Sequence, residues 1–369
     1  MNQSCVANAP LRRCQPYPVG MARSHFTLAA LSTAAVPGAD IVSTRPIGTG
    51  TGGRYDSAVV TLRDRNELIV RVPTSQDAET EQSRDLVALN ALTAGFRGRL
   101  PFDVPQVEGQ TPVANTRAIV YGYITGNPAV LAELDAADPV AESIGRAIAS
   151  IHSLPTSLVT DSGLPVQTAA DAARLARITK DRAAATGSVP SDLLARWSTA
   201  LEDSALWQFQ PTVVHGSLSP ESFLIAGDAV TGVLGWSQLQ VGDPASDLFW
   251  LSSAPSEQLA TRVFGAYNLG RSTPVDRQLR KRARLYAELE IAKWLLHGTE
   301  KHDETIISDA KTMLAGLSVS VESDMLNPLS TDTGQIMAVE EVEEMLRRTP
   351  RADVSSARDS TRVSGISED

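Results

Sequence analysis

Apolar and polar positions follow different rhythms along the chain, and the changes of rhythm divide it. Thr27 to Val36 is an apolar run broken by polar residues, preceded by Ser24 and closed by Pro37. Serine is a favoured N-cap, so Ala22 to Val36 is predicted as an amphipathic helix. Between Ile41 and Pro73 the rhythm shortens to runs rich in β-branched residues, IVSTRPIGTGTGGRYDSAVVTL and then ELIVRVP. This pattern predicts three antiparallel strands around a glycine loop formed by Gly48, Gly50, Gly52 and Gly53. Ala78 to Leu92 returns to helical spacing, and RAIVYGYI, Arg117 to Ile124, is an apolar strand running into the turn signal Thr125-Gly126-Asn127-Pro128. A hinge between two lobes is predicted over Tyr121 to Gly126.

Beyond the hinge the pattern is mainly helical. Ile144, Ile148 and Ile151 share one face of a helix that ends at His152 and Pro155, and further helices are predicted over Ala169 to Ala185 and Asp192 to Ser204. VVHGSLSPESFLI and VTGVLGW then read as two short β segments joined by Gly227-Asp228. Leu285, Leu289, Ala292 and Leu296 mark another helix, with Gly298 in the position that commonly ends one. From Ser318 the chain turns rich in Ser, Asp and Glu, a composition that predicts disorder except for an amphipathic helix over Met337 to Arg348. Residues 1–21 show no periodicity and read as a disordered extension, with Met21 a candidate translation start. The expected organisation is therefore an extension (1–21), a first lobe (22–124), a second lobe (125–318) and an acidic tail (319–369).

Composition narrows the class. With 369 residues and 42% hydrophobic content, the chain is long enough to bury two cores. Its two cysteines, Cys5 and Cys14, lie ahead of the folded body, which excludes a disulfide framework and suits the cytoplasm. The run at Thr27 to Val36 falls short of the roughly 20 apolar residues of a membrane span, and Arg12 and Arg13 ahead of it make only a faint secretory pattern. Of the net charge of −10, the segment from Val319 onward carries −6, from 11 acidic and 5 basic residues. The acidity thus belongs mostly to the tail, and it argues against nucleic acid as a partner.

The order of elements, with the stretch LLARWSTALEDSALWQFQPTVVHGSLSPESFLIAGDAVTGVLGWSQLQVGDPASDL, resembles the aminoglycoside phosphotransferase family, in particular its macrolide phosphotransferase branch. The resemblance covers about Ala22 to Leu317. It implies an α+β, bilobal, protein-kinase-like fold with a small antiparallel β N-terminal lobe and a larger, mainly helical C-terminal lobe. It also implies a site for ATP or GTP made by Gly48, Gly50, Gly52, Arg71, Asp85, Tyr121 and Tyr123. Arg71 stands where such folds place the residue that meets nucleotide phosphates, with Asp85 as its expected partner and Glu81 as the alternative.

The family's loop reads HGDxxxxN, followed by a strand reading IDW and then GDPxxDL. Phosphoryl transfer needs little covalent work from the protein, so positioning and charge carry it. By the resemblance, the aspartate serves as base, while the asparagine and the second aspartate hold magnesium, a hard cation that takes oxygen ligands. In this chain those positions are Ser217, Ser222 and Gly235, in a loop opened by His215. Serine is a poor base at neutral pH, and losing a positioned base costs on the order of 10²–10⁴ in rate. Glycine cannot ligate a metal through a side chain, and Glu221 is the one neighbour able to lend a carboxylate. His215 is expected to hydrogen-bond to backbone, Trp236 to lie in the core, and Asp243 and Asp247 to cap the next helix and brace the loop. The expectation is a catalytically impaired relative with a binding or regulatory role, its ligand a nucleotide or small molecule and a protein partner reached through the tail. The alternatives are an active ATP-dependent O-phosphotransferase acting on a macrolide or similar hydroxylated compound, and another transfer reaction on the same fold.

Overall fold

The computed structural model describes residues 22–47, 53–273 and 276–323. Helix α1 (His25–Ala35) begins where Ser24 Oγ accepts the Thr27 amide, as the sequence predicts. It lies against a five-stranded antiparallel sheet made first by β1 (Ile41–Ile47), β2 (Tyr55–Leu62) and β3 (Glu67–Pro73). Leu28, Val60, Val70, Val72 and Val120 form the small core between helix and sheet. The glycines Gly48, Gly50 and Gly52 lie outside the described residues.

After β3 the chain enters α2 (Gln76–Ala91), capped by Ser75, and the short α3 (Ala94–Arg97). It returns through β4 (Val107–Val113) and β5 (Thr116–Gly122), which gives the sheet order β1-β2-β3-β5-β4. The sequence does not predict β4: VEGQTPV is an edge strand whose alternate residues face solvent, so no apolar run marks it. Its glycine has a steric reason, since a Cβ on Gly109 would sit 2.1 Å from the Ala35 carbonyl oxygen at the end of α1. The strand expected to reach Ile124 ends at Gly122, and residues 123–126 carry the chain to the mainly helical lobe.

The short β6 (Asn127–Pro128) then pairs with a hairpin of that lobe. Helix α4 (Pro139–His152) starts at an Asp138 cap and buries Val140, Ile144, Ile148 and Ile151. A short α5 (Ser157–Thr160), α6 (Ala169–Ala185, opened by a Thr168/Asp171 capping box) and α7 (Ser191–Glu202) follow. Two small sheets carry the loop of interest. One pairs β7 (Thr212–Val214) with β10 (Gln240–Gly242), and the other adds the hairpin β8 (Phe223–Ala226) and β9 (Ala229–Val233) to β6. Helix α8 (Glu257–Gly270) packs along α4, and their backbones approach so closely that a Cβ on Gly145 would lie 2.4 Å from the Val263 carbonyl oxygen.

Helix α9 (Leu279–Lys301) does not stop at Gly298, contrary to the sequence reading. It runs on to His302, which takes the left-handed conformation (φ 54°) that ends it. Gly298 is instead a contact point, because a Cβ there would lie 2.8 Å from the Ile306 side chain of α10 (Glu304–Ser323). Trp197, Leu285, Leu289, Leu295 and Leu314 make the core shared by α7, α9 and α10. Val319 to Ser323, assigned from composition to the tail, are the last residues of α10. The helix expected over 337–348 lies outside the described residues. Among the described residues no helix is long and apolar enough to cross a membrane.

Candidate functional site

The loop 215–222 leaves β7 and is shaped from behind by one carboxylate. Asp247 is fully buried; its Oδ2 accepts the His215 amide at 2.7 Å and its Oδ1 the Gly216 amide at 2.8 Å. Its Oδ2 also accepts from His152 Nε2 at 3.1 Å, and His152 Nδ1 lies 3.0 Å from the Tyr267 hydroxyl. Burial pushes the His152 pKa down, outweighing the pull of Asp247, so the ring is neutral: it donates to the carboxylate and accepts from the tyrosine. Gly216 takes φ +83°, and a Cβ there would meet the Gln238 carbonyl oxygen at 2.3 Å, so the turn requires glycine.

A second brace sits beside it. Asp243 caps the turn 244–247 by accepting the Ala245 amide, and receives Arg282 Nε at 2.7 Å, Arg282 Nη2 at 3.1 Å and the Tyr286 hydroxyl at 2.8 Å. Arg282 is itself fully buried, bonded also to Asp276 and the Leu206 carbonyl and set 4.3 Å from the Phe209 ring centroid. Asp243 and Asp247 thus do what the sequence predicts. Their partners His152, Tyr267, Arg282 and Tyr286 carry no motif that marks them in the sequence as site residues.

His215 faces the interior, away from the cleft. Its Nε2 donates to the Leu234 carbonyl at 3.1 Å, its ring lies 4.7 Å from Trp236, and burial lowers its pKa. Trp236 is buried and donates its indole N–H to the Val233 carbonyl. The three positions where the resemblance places chemistry converge on one edge of the cleft. Ser217 Oγ lies 3.3 Å from the Gly235 carbonyl oxygen and 3.4 Å from His215 Nδ1, so its proton has acceptors within the loop. Ser222 Oγ accepts the Ser219 amide at 3.2 Å and closes a small turn, and the Ser222 carbonyl accepts the Leu234 amide. Gly235 has φ +84° and no atom within 4 Å of where a Cβ would stand.

On the sheet side, Arg71 of β3 lies between Ser57 of β2 and Ile119 of β5, with its guanidinium 4.0 Å from the Tyr55 ring centroid. The expected pair with Asp85, or with Glu81, does not form: among the described residues no ion pair links Arg71 to either carboxylate. Asp85 Oδ1 instead accepts the Trp236 amide at 2.7 Å, which fastens α2 to the strand end carrying Gly235, and Glu81 pairs with Arg54. Burial pushes the Asp85 carboxyl up to about 6, against the opposing effects of Arg71 and the Trp236 amide. Tyr121 and Tyr123 lie at the hinge, and Arg45 sits 5.4 Å from the Tyr123 ring centroid.

Arg71, Asp85, Tyr121, Tyr123, Ser222 and Gly235 all line one cavity of about 550 Å³ between the lobes. A second cavity of about 620 Å³ shares Glu81, Ser222 and Gly235 with it and adds Ser217, Arg54 and Arg84. The residues present do not fit a magnesium site. Two of the three positions are hydroxyls engaged within the loop, the third has no side chain, and among the described residues no group of three or more His, Cys, Asp or Glu is placed to hold a metal.

A model of the phosphotransferase enzyme family matches residues 46–287. Among curated proteins, the uncharacterized protein YcbJ of Bacillus subtilis (strain 168) is 25% identical over 228 residues, covering 58% of this chain and 72% of that protein. Among solved structures, the macrolide 2'-phosphotransferase MphH apoenzyme from Brachybacterium faecium superposes with a TM-score of 0.66 at 22% identity, covering 79% of this chain and 98% of that one. A macrolide 2'-phosphotransferase type I gives 0.64 at 24% identity over 78% and 96%. The GDP complex of aminoglycoside 2'-phosphotransferase-IIIa gives 0.64 at 17% identity over 81% and 99%. The bilobal α+β architecture is therefore the kinase-like one that the motifs imply.

Proposed function

The chain belongs to the phosphotransferase enzyme family, and from that premise we propose that it is a catalytically impaired member whose cleft binds a ligand without transferring phosphate to it. One observation carries this reading. At the positions where the resemblance puts base and metal ligands stand Ser217, whose hydroxyl bonds to the Gly235 carbonyl, Ser222, whose hydroxyl accepts the Ser219 amide, and Gly235, so no carboxylate or amide side chain is offered to the cleft there. The ligand class is a nucleotide, in line with the GDP named for aminoglycoside 2'-phosphotransferase-IIIa, together with a hydroxylated small molecule of the macrolide or aminoglycoside kind. The setting is the cytoplasm, in keeping with a folded body that lacks cysteine.

A second reading, an active O-phosphotransferase with relocated ligands, is favoured by Glu221 alone, whose carboxylate lines the cavity beside Ser222. Incubating the purified protein with ATP or GTP, magnesium and a panel of macrolides and aminoglycosides separates the two. The impaired reading predicts no phosphorylated product and no substrate-stimulated nucleotide hydrolysis. Turnover that disappears in Glu221→Gln would establish the second reading instead.

A further inference from the structure

The cleft has lost its cation ligands and kept, or gained, arginine. Arg45 and Arg71 line the main cavity, and Arg54 and Arg84 line the adjoining one beside Ser217. Arg54 is held by Glu81, and Arg45 by Glu67. Arg71 is different: among the described residues it makes no ion pair, and its planar group is steadied against the Tyr55 ring, whose hydroxyl donates to the Ala78 carbonyl at 2.9 Å. A guanidinium fixed in its plane and facing a cavity without a carboxylate clamped on it is prepared for a bidentate phosphate contact.

In phosphoryl transfer the divalent ion bridges phosphate oxygens and neutralises their charge. That ion needs several oxygen ligands from the protein or its bound waters, and among the described residues no three carboxylates or histidines gather to hold one: Glu81 is paired with Arg54 and Asp85 accepts the Trp236 amide, which leaves Glu221 and Asp77 on the cavity walls. Resting on the nucleotide reading above, we infer that the cleft holds the phosphates of a nucleoside di- or triphosphate without a divalent cation, Arg71 supplying the positive charge that magnesium supplies elsewhere. Arg54 and Arg84 then face the terminal phosphate from the mouth.

The test is calorimetric titration of the full-length protein with ADP, ATP and GTP, once in EDTA and once in excess magnesium chloride. The expected result is binding in EDTA that magnesium leaves unchanged or weakens. Arg71→Gln, checked for an unaltered unfolding transition, is expected to weaken binding by about tenfold or more, the magnitude of a lost charge-assisted hydrogen bond. The double variant Ser222→Asn with Gly235→Asp, where the space is open and the left-handed φ of +84° is one that aspartate adopts more readily than most residues, is expected, once checked for a cooperative unfolding transition, to acquire a tightening by magnesium that the parent lacks. Binding that requires magnesium in the parent overturns the inference, as does an Arg71→Gln variant that binds equally well. Magnesium-tightened binding without turnover would leave the impaired-transfer reading standing and remove only this one. Turnover would remove the impaired-transfer reading. Absence of nucleotide binding in both buffers would remove this inference and leave the loss of transfer untouched.

Discussion

Replacing Asp85 with asparagine tests the coupling between α2 and the catalytic edge quantitatively. Asp85 is the carboxylate that binds the Trp236 amide, and its carboxyl is lifted from 3.8 to about 6, chiefly by burial. At about 1.4 kcal/mol per pK unit, holding this group ionised costs the folded state about 3 kcal/mol above pH 7, net of the attraction to Arg71. Because the folded pKa lies above the unfolded one, that deficit is complete above pH 6 and shrinks as pH falls from 6 toward 3.8. Asparagine keeps an oxygen for the Trp236 amide and cannot ionise. Asp85→Asn is therefore expected to be more stable than the parent by up to about 3 kcal/mol at pH 8, by about half of that at pH 5, and by little at pH 4. Urea denaturation at the three pH values measures the difference directly. If Arg71 and Asp85 instead formed a stabilising ion pair, the variant would lose stability at pH 8 and recover it in acid. That opposite slope, or a gain that does not change with pH, would refute the reasoning.

Two further substitutions probe the frame. Arg282→Met leaves the buried Asp243 without its guanidinium and is expected to cost about 3–5 kcal/mol, seen as a lower urea midpoint at unchanged slope. Gly145→Ala drives a methyl group to 2.4 Å from the Val263 carbonyl oxygen between α4 and α8, and is expected to cost about 1–3 kcal/mol by thermal unfolding, whereas Gly265→Ala, on the exposed face of α8 with open space around it, is expected to be tolerated.

Most of the fold is legible in the chain because its elements are marked by local periodicity. The run YDSAVVTL buries Ala58, Val59 and Val60 in β2, and the isoleucines of α4 are buried at the spacing that predicts a helix. The failures have physical causes. The strand β4 carries polar residues on an edge and so lacks the signal. Gly298 reads as a stop because glycine commonly ends helices, yet here it is small so that Ile306 can approach. At the site, the loop and the GDPASDL turn are legible because each is a contiguous motif. His152 and Arg282 are not, because their partners lie 95 and 39 residues away and a contact of that span leaves no local pattern. The expected pair between Arg71 and Asp85 is what the family resemblance implies, but the motifs say nothing of the Trp236 amide, 151 residues from Asp85, which bonds one of its carboxylate oxygens.

A well-kept frame and an altered catalytic edge coexist here because different physical demands hold them. Asp243, Asp247, His152 and Arg282 are buried polar groups whose bonds satisfy one another, and removing any one strands the rest without water, so stability alone keeps them. Ser217 is exposed, Gly235 opens on empty space, and Ser222 completes only its own turn. Changes at Ser217 and Ser222 disturb little packing, and at Gly235 the space is open although φ +84° favours glycine, so packing does not dictate which side chains occupy the positions that the resemblance assigns to chemistry. Preservation of the HG loop and the GDPASDL turn is accordingly evidence about folding. By the resemblance, phosphate transfer rests on side chains that the fold can do without, and at those positions this chain carries two serines, each hydrogen-bonded to backbone, and a glycine.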